Sequence, residues 1–169
     1  MKNIKKILLL SCCFLGACAT YPEKIETPVY STIGRHKQIG TITFYDTEQG
    51  LKGVVNLENL PTGAHGFHIH DYPDCGALSG EPAMKAGGHY DPDHTDKHLG
   101  PEGDGHKGDL PRLMTDDEGT VKTSFYAPHL TLSEIKGHSV VIHEFGDNYS
   151  DSPRPLGGGG KRIACGVIQ

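Results

Sequence analysis

The 169-residue chain has no tryptophan and few aromatic residues, and beyond its N-terminal segment it shows no heptad or 3.6-residue apolar periodicity. A helical bundle needs such periodicity to bury one face of each helix, so that class is excluded. Its 23 glycines suit turns and short strands instead. Positive charge is scarce as well. Sixteen Lys and Arg stand against 21 Asp and Glu, a formal charge of −5, and loss of Lys2, Lys5 and Lys6 with a leader would take it to −8. So acidic a chain is a poor match for nucleic acid, and no such partner is expected. If the substrate is an anion, some local positive feature must overcome the general repulsion. Cysteine is nearly absent from the main body: of five, only Cys75 and Cys165 lie beyond residue 18.

The N-terminus explains where the other three fall. MKNIKK is followed by the apolar run ILLLSCCFLGA, the charged-then-apolar layout of an export signal, too short for a membrane span. Two processing readings compete. Leu15-Gly16-Ala17-Cys18 looks like a bacterial lipobox, which makes residues 1–17 the signal and Cys18 the lipidated first residue. Ala17-Cys18-Ala19 instead fits the small-x-small rule of ordinary signal peptidase. The polar, proline-containing stretch TYPEKIETP after Cys18 reads as a tether and favours the first. Both readings export the protein to the envelope, with membrane contact only through the lipid. In an oxidising compartment Cys75 and Cys165 are expected to form a disulfide.

Strand-like segments lie toward both ends of the exported chain: Ile25–Thr32, Gln38–Asp46, Leu51–Glu58, Gly66–His70, Thr120–Ala127, Ser139–His143 and Arg162–Ile168. The second and third, joined by Glu48-Gln49-Gly50, read as a hairpin. Short strands, Gly/Asp/Pro turns and no helical pattern indicate an all-β antiparallel sandwich or barrel. Residues 71–118 carry almost no strand pattern. A loop of that length inside one domain needs an organiser. The disulfide through Cys75 is one, and a metal would be another.

Eleven histidines supply the candidates. His68-Ile69-His70 is an i, i+2 pair, and on a strand both imidazoles point to one face and can share an ion. His143 ends the apolar run Val140-Val141-Ile142 and can bring a third imidazole from a neighbouring strand. Nitrogen-rich ligation of this kind suits copper, zinc or nickel. In the long segment, His89, His98, His106 and Asp109 form a closed three-imidazole, one-carboxylate set of the type that holds structural zinc. His65 falls on the opposite parity from His68 and His70 and reads as a supporting residue. His36, His94, His129 and His138 read as surface or structural residues, with His94 lying inside the loop.

Several stretches then carry a resemblance. They are Gly66–His70 leading to Cys75, Ala86-Gly87-Gly88-His89-Tyr90-Asp91-Pro92, Lys97-His98-Leu99-Gly100-Pro101, Gly105-His106-Lys107-Gly108-Asp109-Leu110, Val141-Ile142-His143-Glu144 and Gly160–Ile168. In order from residue 38 to the C-terminus, they resemble copper/zinc superoxide dismutase; Gly146–Asp151 and Gly157–Gly160 resemble its bacterial periplasmic branch. The resemblance implies a Greek-key β-barrel of about eight strands over 38–169, with residues 18–37 matching only loosely as tether and first strand. It implies copper on His68, His70, His89 and His143, and zinc on His89, His98, His106 and Asp109, with His89 shared. It implies that Asp147 links ligand histidines of the two sites, that Arg162 stands beside the copper and that Cys75–Cys165 is the family disulfide. Its implied substrate is superoxide, and its relatives occur as monomers or homodimers. Two other motifs stay unassigned to chemistry. Gly157–Gly160 with Lys161 lacks the Ser/Thr of a phosphate loop, and Asn148-Tyr149-Ser150 reads as loop sequence.

Overall fold

The computed structural model describes residues 23–169. The leader and Cys18 lie outside the described residues. Nine strands follow in order: β1 (Lys24–Ser31), β2 (Gln38–Thr47), β3 (Gly50–Leu57), β4 (Gly63–His65), β5 (Phe67–His70), β6 (Leu113–Thr115), β7 (Val121–Ala127), β8 (Ser139–His143) and β9 (Arg162–Val167). Among the described residues two 3-10 turns (Met84–Ala86 and Leu156–Gly158) accompany one α-helix, α1 (Leu132–Ile135), which is capped at Thr131, whose side chain accepts the Glu134 N–H.

Seven strands form one antiparallel sheet in the order β5-β8-β9-β1-β2-β3-β7. Within it β9-β1-β2-β3 is a Greek key: three consecutive hairpin-joined strands, with a later one returning beside the first. β4 and β6 make a separate two-stranded ribbon. It lies across the open side of the curled sheet, because β4 leads straight into the edge strand β5 and β6 sits beside the opposite edge strand β7. The all-β expectation holds, and the β2–β3 hairpin turns between Thr47 and Gly50 as its sequence indicates. Nine strands rather than about eight arise at Gly66. Its N–H donates to the Phe145 carbonyl and its own carbonyl accepts the His143 N–H, so Gly66 pairs beside β8 as β5 does, while β4 pairs with β6, and this change of partner separates β4 from β5.

Alternation builds the core. Leu51, Val55 and Leu57 of β3 point inward, as do Phe67 and Ile69 of β5 and Val140 and Ile142 of β8. β2 departs from strict alternation: Ile39, Ile42 and Phe44 are all buried. Its parity switches at Gly40, whose φ of 140° accompanies a register shift against Val29 and Tyr30 of β1. A bulge of this kind lets one extra residue into the strand. Phe67 and Phe125 meet edge to face at 5.4 Å in the core centre.

The long segment is organised from two sides. Its backbone adds to the free edge of β5: Ile69 N–H donates to Gly108 O, Tyr90 N–H to Ile69 O and Leu110 N–H to Phe67 O. On the other side the disulfide Cys75–Cys165 pins it to β9. Cys75, Cys165, Val141, Ala83 and Ala86 pack there as a small second apolar cluster.

Candidate metal centre

Strand β5 is buried on both faces. Phe67 and Ile69 enter the core, which leaves His68 and His70 on the opposite face beneath residues 71–112. Isolated bridges of His68 with Asp109 and of His70 with His89 bring the loop residues alongside. His143 comes from β8, where the register shifts between Ile142 and His143 and sets His143 directly opposite Arg162 of β9. Ligand-type atoms of His68, His70, His89 and His143 all lie within 4.8 Å of one another.

Each of these imidazoles is oriented by an acceptor on one nitrogen. His70 Nδ1 donates to the Gly87 carbonyl at 3.1 Å and His143 Nδ1 to the Gly160 carbonyl at 3.4 Å. His68 Nε2 donates to Asp147 Oδ2 and His98 Nε2 to Asp147 Oδ1, both at 2.7 Å. The opposite nitrogens, His68 Nδ1, His70 Nε2, His143 Nε2 and His98 Nδ1, are buried without a hydrogen-bond partner, as is His106 Nδ1. Buried nitrogens left unpaired are costly, and five of them around two foci fit metal coordination.

A second group of ligand atoms within 4.8 Å comprises His68, His89, His98 and Asp109. The sequence places His106 there instead of His68. His68 has only Nδ1 free, since Nε2 is taken by Asp147, so it can serve one ion and not two. His106 Nδ1 stands 3.6 Å from Asp109 Oδ1, also unpartnered, and offers the remaining nitrogen. Asp109 receives His89 Nδ1 at 2.9 Å and lies 2.8 Å from His98 Nδ1. His89 therefore belongs to both groups. The donor sets fit two ions, one nitrogen-rich and one with three imidazoles and a carboxylate.

Electrostatics divide the site in the same way. Burial holds the His70 and His143 imidazoles well below their ordinary value, burial also lowers His68, and it pushes His89 down to about 3. These rings are neutral, the form that ligates metal. His98 differs: burial opposes its charge, but the Asp109 carboxylate 2.8 Å from Nδ1 and the Asp147 carboxylate bonded to Nε2 prevail and raise it to about 9. Burial would raise the Asp109 carboxyl, yet the imidazoles of His106, His89 and His98 around it hold it well below the ordinary carboxylate range. Asp147 is likewise held low by His68 and His98 against burial. Gly157, with φ of 69°, passes so close to Asp147 and His98 that any side chain there would displace them.

The remaining sequence candidates fall as follows. Arg162, half-buried, donates from Nη1 to Ala83 O and from Nη2 to Gly87 O, both at 2.7 Å. Gly87 O therefore orients both Arg162 and His70, a shared acceptor that no sequence signal announces. His65 lies in β4, with Nδ1 2.7 Å from the His143 carbonyl and Nε2 2.8 Å from that of Pro61. It supports the backbone of His143 and offers no free nitrogen to an ion. His138 reaches the His70 carbonyl through Nδ1 at 3.2 Å, and His36 stacks on Tyr30 with centroids 5.2 Å apart. His94 and His129 are exposed.

A curled Greek-key sheet carrying two adjoining, histidine-shared donor sets under a disulfide-pinned loop defines a two-metal β-sheet protein. The family model described as copper/zinc superoxide dismutase matches residues 38–168. The chain is 47% identical over 173 residues to the Brucella abortus protein named superoxide dismutase [Cu-Zn], covering 98% of this chain and 100% of that one. The solved structure of a Cu/Zn superoxide dismutase from Brucella abortus superposes with a TM-score of 0.83 at 51% identity, over 87% of this chain and 100% of that chain. The monomeric copper, zinc superoxide dismutase from Salmonella enterica gives 0.72 at 46% identity, covering 88% and 100%. The chain belongs to the copper/zinc superoxide dismutase family.

Proposed function

We propose that the protein disproportionates superoxide, two superoxide anions and two protons giving one dioxygen and one hydrogen peroxide. The observation that carries this reading is the set of oriented, unpartnered buried imidazole nitrogens. Copper would be held by His68, His70, His89 and His143, and zinc by His89, His98, His106 and Asp109. When bound, copper supplies one-electron exchange with superoxide, and zinc supplies fixed positive charge beside His89.

The chain's own residues do the rest. Arg162 offers a cation and hydrogen-bond donors at a fixed place, because two carbonyls hold its guanidinium. It lines a surface recess of about 400 Å³ together with Lys161, Glu144 and Phe145. A second recess of about 270 Å³ opens beside His106 and is lined by Asp93, Asp104 and Asp109. That recess sets three carboxylates against Lys107, whereas Lys161 and Arg162 balance Glu81 and Glu144 in the other, so the Arg162 side is the less repulsive approach for an anion. His89, between the two donor sets, is the residue placed to hold a proton on Nε2 for the product. Gly87 and Gly160 carbonyls and Asp147 keep the other rings from turning.

The test is metal analysis with activity on the purified mature protein: one copper and one zinc per chain with dismutation is the expected result. Metal-replete protein without dismutation would overturn the reading. A copper-delivery module on the same fold is not favoured, since no ligand position or arginine is missing. Arg162→Ala is expected to lower kcat/KM by about tenfold and flatten its dependence on ionic strength, at full metal content. Unchanged rate and salt response would remove Arg162 from substrate capture.

The proposal extends to the N-terminus, with residues 1–17 as an export signal, Cys18 as the lipidated residue and the envelope as location. Residues 38–169 would form the dismutase domain, which β1 joins by pairing with β2 and β9. Mass spectrometry of the mature N-terminus separates lipidated Cys18 from simple cleavage after Ala19. A monomer or homodimer is proposed, and the monomeric state of the Salmonella enterica relative supports the former.

A further inference from the structure

We propose that Tyr149 is a positioning residue that fixes the zinc-side oxygen of Asp147 and thereby sets how firmly zinc is retained. The proposal rests on the zinc assignment to His89, His98, His106 and Asp109 made above. Asp147 uses its two oxygens differently: Oδ2 accepts from His68, whereas Oδ1 accepts both His98 Nε2 and the Tyr149 N–H, each at 2.7 Å. The Tyr149 N–H thus acts on the oxygen that orients a zinc-side imidazole. In the turn that makes this bond Tyr149 has φ of 58°, a left-handed conformation unusual for a non-glycine residue, with its side chain set against Gly100. Such a conformation persists only where its surroundings impose it.

The surroundings here are specific. The Tyr149 hydroxyl accepts the Arg112 N–H at 3.0 Å, tying the ring to the chain just before β6. The Arg112 guanidinium lies 5.8 Å from the ring centroid and donates from Nη1 to the Asp147 carbonyl at 3.3 Å. The ring also packs flat on Gly100, two residues from His98, where φ is 72° and an added Cβ would come within 2.7 Å of the tyrosine. One side chain therefore joins the His98 segment, the lead into β6 and the Asp147 segment. Neither the alternation of the strands nor the ligand spacing assigns Tyr149 any task.

Without the ring, the turn from Asp147 to residue 149 loses its anchors on Gly100 and on the Arg112 N–H, and the N–H of residue 149 is free to move off Oδ1. Partners that orient ligands commonly change metal affinity by about 10–100-fold when lost, and Tyr149 acts one step further out. Tyr149→Ala is therefore expected to speed zinc release into a colorimetric chelator by about tenfold. Copper loss, followed by the electron paramagnetic resonance signal, should change by less than about twofold, because His68 bonds the other oxygen. Tyr149→Phe keeps the ring on Gly100 and should restore most of the retention. Ile42→Val, a mildly destabilising change in the core, serves as the control for lost stability alone.

Zinc release from Tyr149→Ala at the wild-type rate would overturn the proposal. So would equal acceleration of both metals matched by the Ile42→Val control, which would make Tyr149 merely structural. Wild-type protein that takes up no zinc would instead sink the site assignment beneath it. Failure of the clamp and failure of the zinc reading are thus separate results.

Discussion

Asp147→Ala is expected to weaken zinc retention by about 10–100-fold, measured by competition with a chelator of known affinity. The carboxylate is buried and receives three donors, His68 Nε2, His98 Nε2 and the Tyr149 N–H, all at 2.7 Å. Removing it leaves two buried imidazole N–H groups unpaired, at a cost of about 1–3 kcal/mol each. Both rings are then free to turn about χ2 or to shift tautomer, which takes their ligating Nδ1 atoms off target. His68 and His98 lose the same acceptor, but the copper-side imidazoles His70 and His143 keep their carbonyl acceptors, whereas none of the zinc-side imidazoles His89, His98 and His106 is oriented by a carbonyl. Zinc loss should therefore exceed copper loss. Wild-type zinc affinity in the variant would show that Asp147 does not govern ligand orientation.

The second large effect belongs to the disulfide. Replacing Cys75 and Cys165 together by alanine is expected to cost about 4–5 kcal/mol, since the bond closes a loop spanning 90 positions. For a domain of this size that corresponds to a fall in Tm of roughly 10–18 °C. The effect reaches the site. Ala83 and Gly87, whose carbonyls hold Arg162, lie between Cys75 and His89 in the tethered segment. A reduced or cysteine-free protein should thus lose activity before it loses its β-sheet signal in circular dichroism on heating. Activity and sheet signal vanishing together, with Tm within about 3 °C of wild type, would contradict this account.

How much was legible beforehand can be traced residue by residue. The pair His68 and His70 reads directly from strand parity, because Phe67 and Ile69 must take the core side. The hairpin of β2 and β3 reads from its alternation and turn, and the Cys75–Cys165 bond from export and cysteine arithmetic. β4 and β6 were not legible: each has three residues, too few to show a period, and their pairing depends on segments far apart in sequence. Strand parity places His65 only if one strand runs through Gly66; the change of partner there gives His65 its own strand, β4, and its place beneath His143. The switch of β2 at Gly40 was hidden for a related reason, since a bulge belongs to a pair of strands.

By itself, then, the sequence determined the kind of residue available at each point: imidazoles at strand spacing, a carboxylate beside them, one arginine, two cysteines beyond the N-terminal segment and the alternation that makes an all-β chain. These are local properties, written within a few residues. Only the tertiary structure decided which nitrogen of each imidazole is left without a partner, because that choice is made by an acceptor brought from elsewhere. Gly87 and Gly160 carbonyls make it for His70 and His143, and Asp147, steadied by Tyr149, makes it for His68 and His98. Ligand identity is covalent and local, whereas ligand orientation is a long-range hydrogen bond, and it exists only once the chain has folded.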